Sequence, residues 1–190
     1  MAMGNKESTS SEKEKNKNKE KTKTGDVNKV TELDPQNLSL EALGRYGVFL
    51  NHRGPDVKCT FVSHLYNELR GRGCFPFLDV KSLIEGHHAL NSINEALHAV
   101  RVHLAVFSKG YAESKYRLNE LCDMMKSPEK VIPVFFQGVE PGHLRWIESG
   151  PFAKAFEKHL EKNRDKDVER WKNALLEASD LSGFQHSQYT

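Results

Sequence analysis

Short apolar runs alternate with helix-forming segments from residue 47 onward, and this alternation constrains the fold more than any other feature of the sequence. The runs begin at Gly47, Phe75, Val102 and Val131. Because successive runs are separated by about 25 residues with a helical pattern, the strands are expected to be parallel and joined by right-handed crossovers. The sequence therefore predicts an α/β fold, a doubly wound parallel sheet with helices on both faces.

Helical periodicity fills the intervals between the apolar runs. Phe61, Leu65 and Leu69 recur every four residues after the first run, and Gly71 and Gly73 follow as helix-ending residues. Further helices are predicted at about 90–100, 115–126, 152–161 and 168–181. Helix and strand therefore alternate through most of the chain.

The first 25 residues differ in composition from the rest. They contain no aromatic residue and no Val, Ile or Leu, so they cannot bury enough surface to offset chain entropy. Their seven Lys and four Glu give +3, whereas the whole chain carries +2, which leaves −1 for the remainder. We predict a disordered Lys-rich tail at 1–25, a linker at 26–45, a folded domain at 46–184 and a C-terminal tail at 185–190. A domain without excess positive charge argues against nucleic acid as a partner.

The number and spacing of the cysteines, together with the hydropathy, indicate the cellular compartment of the protein. Cys59, Cys74 and Cys122 lack paired metal-ligand spacing, and their odd number without a secretory apolar stretch favours reduced thiols. All three lie in or beside apolar runs, so we interpret them as small buried side chains. No run approaches the roughly 18 apolar residues of a membrane span, and no membrane is expected. The sequence predicts a cytoplasmic protein, with the nucleus as a second compartment.

Ligands of open parallel sheets bind beyond the carboxyl ends of the strands, where the strand order reverses. The loops to consider therefore follow Leu50, Leu78 and Phe107. No Gly-x-Gly-x-x-Gly or Walker pattern follows the first strand, so a dinucleotide would be held by side chains. His87 and His88 are adjacent, and adjacent ligands rarely reach one ion, so no metal site is predicted.

The loop after the first strand contains groups that suit an anion. Arg53 supplies a cation, Gly54 allows close backbone approach, and Asp56 is expected to cap the following helix. An arginine beside a glycine suits a phosphate, but an arginine salt-bridged across the loop is an equal alternative. The loop alone leaves both readings open.

Glu120 lies on the predicted 115–126 helix, which starts at the mouth of this crevice. Tyr116 and Asp123 fall on the same side of the helix as Glu120, opposite the apolar stripe. The stripe consists of Leu118, Leu121, Cys122 and Met125. Glu120 is therefore expected outside the core, as a solvated side chain or a catalytic carboxylate.

Taken together, these loops and motifs resemble the Toll/interleukin-1 receptor (TIR) domains of plant immune proteins. The resemblance extends over about 46–184. Its motifs are Tyr-Gly-Val-Phe-Leu-Asn-His-Arg-Gly-Pro-Asp from Tyr46, Phe61-Val62-Ser63-His64-Leu65-Tyr66, Phe107-Ser108 with Tyr111-Ala112, Ser114 with Leu118-Asn119-Glu120-Leu121, Val131-Ile132-Pro133-Val134-Phe135, and Trp171 with Leu181-Ser182-Gly183. Any one of them is weak, but the combination is specific.

The resemblance implies a flavodoxin-like fold with five parallel strands that self-associates and cleaves NAD+ between nicotinamide and ribose. NAD+ is then the substrate, and no separate cofactor is implied. The ADP-ribose-type products would act as defence signals on downstream immune proteins. Such an NAD+ nucleosidase is expected to depend on oligomerisation.

The resemblance also assigns roles to residues of this chain. Glu120 matches the catalytic glutamate, whose negative charge would stabilise the ribosyl cation left when nicotinamide departs. The substrate would contact His52, Arg53, Gly54, Asp79, Gly86 and Tyr116. Two self-association surfaces would contain Ser63 with His64, and Gly150.

The chain departs from the family pattern near the implied pocket. His52 stands where the family usually has Phe, and Tyr116-Arg117 stands where it usually has Trp-Cys. Two hypotheses therefore remain open: an NAD+ nucleosidase, and a non-catalytic adaptor that acts by homotypic TIR–TIR interaction. A phosphoacceptor receiver using Asp79 is a third, although no acidic cluster accompanies that residue to hold magnesium.

Overall fold

Five parallel strands form one sheet in the order β2-β1-β3-β4-β5. The computed structural model describes residues 44–45, 47–78 and 97–186. The strands are β1 (Gly47–His52), β2 (Phe75–Phe77), β3 (Val102–Phe107), β4 (Lys130–Phe135) and β5 (Phe184–Gln185). The predicted flavodoxin-like fold class is confirmed. β5 is too short to show an apolar run, and the sequence pattern did not locate it.

Helices connect the strands close to the predicted positions. They are α1 (Gly54–Val57), α2 (Ser63–Gly71), α3 (Lys115–Lys126), α4 (Pro141–Arg145), α5 (Ala153–Lys162) and α6 (Asp165–Ser179). A π-helical turn at Lys58–Val62 and a 3-10 turn at Tyr111–Glu113 were not predicted, nor was α4. Of the helix predicted at 90–100, residues 97–99 are described and are helical. No helix in the described part of the chain is long and apolar enough to cross a membrane.

The sheet buries apolar side chains on both faces, as a doubly wound fold requires. On one face Leu50 and Val106 pack in a cluster that Leu65 of α2 joins. On the other, Phe49 and Phe107 lie in the larger cluster, which also contains apolar side chains of α3, α5 and α6. Neighbouring residues of a strand therefore contribute to opposite cores, which explains why the strand sequences are continuously apolar.

The strand order creates a crevice beside β1. From β1 the chain passes to β2 on one side and then returns to β3 on the other, and both neighbours pair with β1 in parallel. His52 at the end of β1 pairs with Val106 near the end of β3. The loops that follow these two strands therefore begin side by side at one edge of the sheet, at the topological switch point.

The three cysteines differ in their burial, and the expectation that all are buried is wrong for Cys59. Cys59 is exposed in the π-helical turn, Cys74 is half-buried, and Cys122 is buried on α3. Burial raises the pKa of the Cys122 thiol to about 11, so the thiol stays protonated. The apolar residues Val57 and Val62 near Cys59 are buried, but Cys59 itself is not, so apolar neighbours in the sequence did not predict its burial.

His103 is a polar residue in the middle of the sheet. It lies fully buried on β3, with its ring edge-on to Phe49 at a centroid distance of 6.0 Å. Neither ring nitrogen has a hydrogen-bond partner among the residues that the structure describes. Burial, with a smaller contribution from His98, lowers the pKa of His103 from 6.5 to about 4. The ring is therefore neutral at physiological pH.

We predict that His103 makes the protein less stable in mild acid. Because its folded-state pKa is depressed, the unfolded chain binds the proton first, and stability falls as the pH drops from 6.5 to about 4. The loss should be about 2–3 kcal/mol. Chemical denaturation across this range should show a smaller loss for His103→Leu than for the wild type. Equal losses in both proteins would contradict the prediction.

Candidate functional site

A cleft of about 740 Å³ opens at the edge of the sheet where β1 and β3 end. We call it the strand-end cleft. It is formed by the loop after β1, the start of α3 and the end of α5. Its lining consists of Arg53, Gly54, Pro55, Glu113, Ser114, Lys115, Tyr116, Arg117, His159, Lys162 and Asn163. The cleft lies beside two of the three loops predicted to hold a ligand, those after Leu50 and Phe107, and the third, after Leu78, lies outside the described residues.

Asp56 joins the two loops that form this cleft. Its carboxylate accepts hydrogen bonds from Ser108 Oγ and from the backbone N–H of Gly110, the latter at 3.2 Å, and it forms an ion pair with Arg53. A side chain at Gly110 would place its Cβ 2.7 Å from Asp56 Oδ2, so the contact requires glycine. The expectation that Asp56 caps a helix is wrong, because Arg53 occupies the N-cap position of α1.

Of the two readings that the sequence left open for Arg53, the structure shows the salt bridge, and phosphate binding stays a prediction. Arg53 lines the strand-end cleft, and its guanidinium is ion-paired with Asp56 and, at 2.7 Å, with Glu113 Oε2. Gly54 beside it has no atom within 4 Å of the position a Cβ would occupy, so the backbone there is open to a ligand. The two carboxylates fix the orientation of the arginine at the wall of the cleft.

Glu120 projects from α3 toward the end of β1. Asn51 Nδ2 donates to Glu120 Oε2 at 2.9 Å, and Arg117 Nη1 donates to the same oxygen at 2.6 Å. The carboxylate is largely covered, with 16% of the Glu120 side chain and 22% of the Arg117 side chain exposed. Glu120 is outside the core clusters, as predicted, but its carboxylate is fixed by two hydrogen bonds and is not a freely solvated group.

Asn51 and Tyr111 orient the Glu120 carboxylate through a chain of hydrogen bonds. The Tyr111 hydroxyl donates to Asn51 Oδ1 and lies 3.3 Å from the backbone oxygen of Arg117. Burial raises the pKa of Tyr111, and the negative charge of Glu120 raises it further, so the hydroxyl remains a donor. With Oδ1 engaged, the amide of Asn51 must present its N–H to Glu120. Asn51 was not singled out by the sequence analysis, although it lies in the same motif as Arg53.

Tyr116 and His52 differ in their access to the cleft. Tyr116 lines it and is 68% exposed, with Lys115 Nζ 5.4 Å from the ring centroid. His52 is buried at the end of β1, where its Nδ1 donates to the Leu50 carbonyl at 2.9 Å, and it does not belong to the cleft lining. The structure therefore places an aromatic face, but not His52, where a ligand could touch it.

The remaining predicted residues lie elsewhere. Ser63 and His64 are exposed on α2, and Gly150 is exposed after α4 with φ +144°, where a Cβ would lie 3.0 Å from His143 Cδ2. Asp79 and Gly86 lie outside the described residues. Within the described ranges, no group of three or more His, Cys, Asp or Glu is arranged to hold a metal ion.

The sheet order and the strand-end cleft define a flavodoxin-like α/β domain with a cleft at the topological switch point. Comparison with known families is more specific. The TIR domain family matches residues 45–190, and the chain belongs to this family.

Similar proteins come from plants. TMV resistance protein N of Nicotiana glutinosa is 40% identical over 73% of this chain, and this chain spans 12% of that protein's length. The probable 2' cyclic ADP-D-ribose synthase BdTIR of Brachypodium distachyon is 32% identical, over 86% of this chain and 70% of BdTIR. The TIR domains of the activated Roq1 resistosome superimpose with a TM-score of 0.62 at 36% identity, covering 76% of this chain and 89% of theirs.

We predict that Asp56 contributes strongly to the stability of the cleft. Replacing Asp56 by Ala removes an ion pair and two hydrogen bonds to a largely covered carboxylate, which should cost about 2–3 kcal/mol of unfolding free energy. Asp180→Ala is the matched control, because it breaks the more exposed Arg145–Asp180 ion pair and should cost less than about 1 kcal/mol. Similar losses for the two variants in urea denaturation would refute this.

Proposed function

We propose that this TIR domain cleaves NAD+ at the bond between nicotinamide and ribose and thereby produces ADP-ribose-type signals in plant immunity. The observation that carries the proposal is the position of Glu120, held by Asn51 at the end of β1 and linked to the strand-end cleft through Arg117. The similarity to BdTIR, a probable 2' cyclic ADP-D-ribose synthase, and to plant resistance proteins supports it.

The chemistry requires a negative charge beside a developing positive one. When nicotinamide leaves with the electron pair of its C–N bond, the ribose becomes an oxocarbenium ion, which a fixed carboxylate stabilises. A water molecule, or a hydroxyl of the substrate itself, then bonds to the sugar carbon and loses its proton to the solvent. Asn51 keeps Glu120 in one orientation, so the charge needs little reorganisation during the reaction.

The strand-end cleft offers the other contacts that a dinucleotide needs. The exposed ring of Tyr116 can stack on a nicotinamide or adenine base. The first turn of α3 has no acidic residue, and its N-terminus favours an anion; Arg53 also lines the cleft. We expect a pyrophosphate to lie near Gly54 and the start of α3, with Arg53, whose charge Asp56 and Glu113 partly offset, as an additional donor. NAD+ acts as substrate in this proposal, with no further cofactor, and the protein acts in the cytoplasm or nucleus.

We expect Glu120→Gln to abolish nicotinamide release from NAD+, by a factor of about 100 or more, because the neutral amide cannot stabilise the cation. The measurement is chromatography of nicotinamide and ADP-ribose species after incubation of concentrated protein with NAD+. Asp123→Asn is the control, since it removes an acidic residue of the same helix that does not line the cleft. The proposal fails if Glu120→Gln retains wild-type release.

A second candidate function is that of a non-catalytic adaptor that recruits other TIR domains. The exposure of Ser63 and His64 on α2, and of Gly150, favours it, because these residues are free to face another domain. For an adaptor, self-association would be the signal itself. For an NAD+ nucleosidase, self-association would be a condition for turnover, and downstream immune proteins would respond to the nucleotide products.

We predict that His64→Ala weakens self-association, because it removes an exposed ring from the proposed contact surface. Light scattering over a concentration series should show the loss, which we expect to be about tenfold in the association constant. His98→Ala removes another exposed histidine and serves as the control. If nicotinamide release falls together with self-association, turnover depends on assembly. An unchanged association constant would exclude this surface.

A further inference from the structure

Arg117 both lines the strand-end cleft and contacts the Glu120 carboxylate. Its Nη1 donates to Glu120 Oε2 at 2.6 Å. Glu120 itself is not part of the cleft lining. In this structure the arginine thus connects the cavity that would receive a substrate to the carboxylate that would act on it.

This ion pair conflicts with the proposed role of Glu120. A carboxylate that already faces a guanidinium and the Asn51 amide is largely neutralised, and its attraction for a second cation is reduced accordingly. Arg117 also carries a positive charge of its own, which repels a developing ribosyl cation at the same oxygen. Cleavage therefore requires that the guanidinium leave Glu120 Oε2.

The side chain of Arg117 can move without disturbing its helix. Its backbone N–H is capped by Ser114 Oγ at 3.4 Å, and its carbonyl lies 3.3 Å from the Tyr111 hydroxyl, so the main chain is anchored at both groups. The side chain is 22% exposed on the cleft side of α3. Rotation about its side-chain bonds would exchange one anionic partner for another.

We propose that Arg117 is a specificity-determining residue that releases Glu120 only when the substrate supplies a phosphate. A pyrophosphate in the strand-end cleft offers the guanidinium a bidentate partner with more negative charge than a single carboxylate. Binding of the phosphate by Arg117 would then expose the Glu120 carboxylate in the same step. The inference rests on the proposed function and adds to it a selection for dinucleotides over phosphate-free nicotinamide ribosides.

A binding experiment tests the exchange without any turnover. ADP and adenosine are titrated calorimetrically against the wild type, Arg117→Ala, Glu120→Gln and the double variant. Arg117→Ala should weaken ADP binding about tenfold and leave adenosine binding nearly unchanged. Glu120→Gln removes the negative charge that holds the arginine, so it should tighten ADP binding, and more so with Arg117 present than in the Arg117→Ala background.

The control and the contrary results are specific. Arg72→Ala removes another ion-paired arginine, which lies after α2 and does not line the cleft, and it should change neither affinity. A merely structural ion pair would instead alter ADP and adenosine binding equally in Arg117→Ala. That result, or an effect of Glu120→Gln no larger with Arg117 than without it, overturns the proposal.

Turnover supplies a second readout that separates this inference from the proposed function. The ratio of nicotinamide release from NAD+ to that from nicotinamide riboside should fall about tenfold in Arg117→Ala, because the carboxylate is then free without a phosphate. Absence of release in every variant, together with the expected binding pattern, would overturn the proposed function alone. Release from NAD+ with an unchanged ratio in Arg117→Ala would overturn the role of Arg117 alone.

Discussion

The parallel pairing of β1 with β3 is the constraint on which the rest of the molecule depends. It sets the end of β1, with Asn51 and His52, beside the end of β3, so the loops that follow must share one edge of the sheet. Asp56 then ties one loop to the other. The cleft, the orientation of Arg53 and the start of α3 all follow from this junction.

The hydrogen-bonded group of Tyr111, Asn51 and Glu120 also depends on the pairing of β1 with β3. Tyr111, on the 3-10 turn after β3, fixes Asn51 of β1, and Asn51 fixes Glu120 of α3. Each member comes from a different element, so a fold that kept the sheet but shifted α3 by one turn would lose the site. This dependence explains how the Glu120 carboxylate can be held in one orientation on a helix surface, where a glutamate is usually solvated.

The sheet and most of the helices could be predicted from the sequence, whereas several contacts at the site could not, for physical reasons. The bounds of α3 were predictable because Ser114 caps it and its apolar stripe is regular. The role of Asp56 was not, because its partners Ser108 and Gly110 are more than fifty residues away in sequence, and a local cap was the simpler reading. The Arg117–Glu120 pair was missed because side chains at that spacing on a helix are as often solvated as paired.

We propose that this TIR domain is an NAD+ nucleosidase whose carboxylate is held by Asn51 and covered by Arg117. The most direct measurement is nicotinamide release from NAD+ by concentrated wild-type protein, compared with Glu120→Gln under conditions where both form oligomers. We expect release by the wild type and none by Glu120→Gln. Oligomers of the wild type that leave NAD+ intact would contradict the proposal and favour the adaptor.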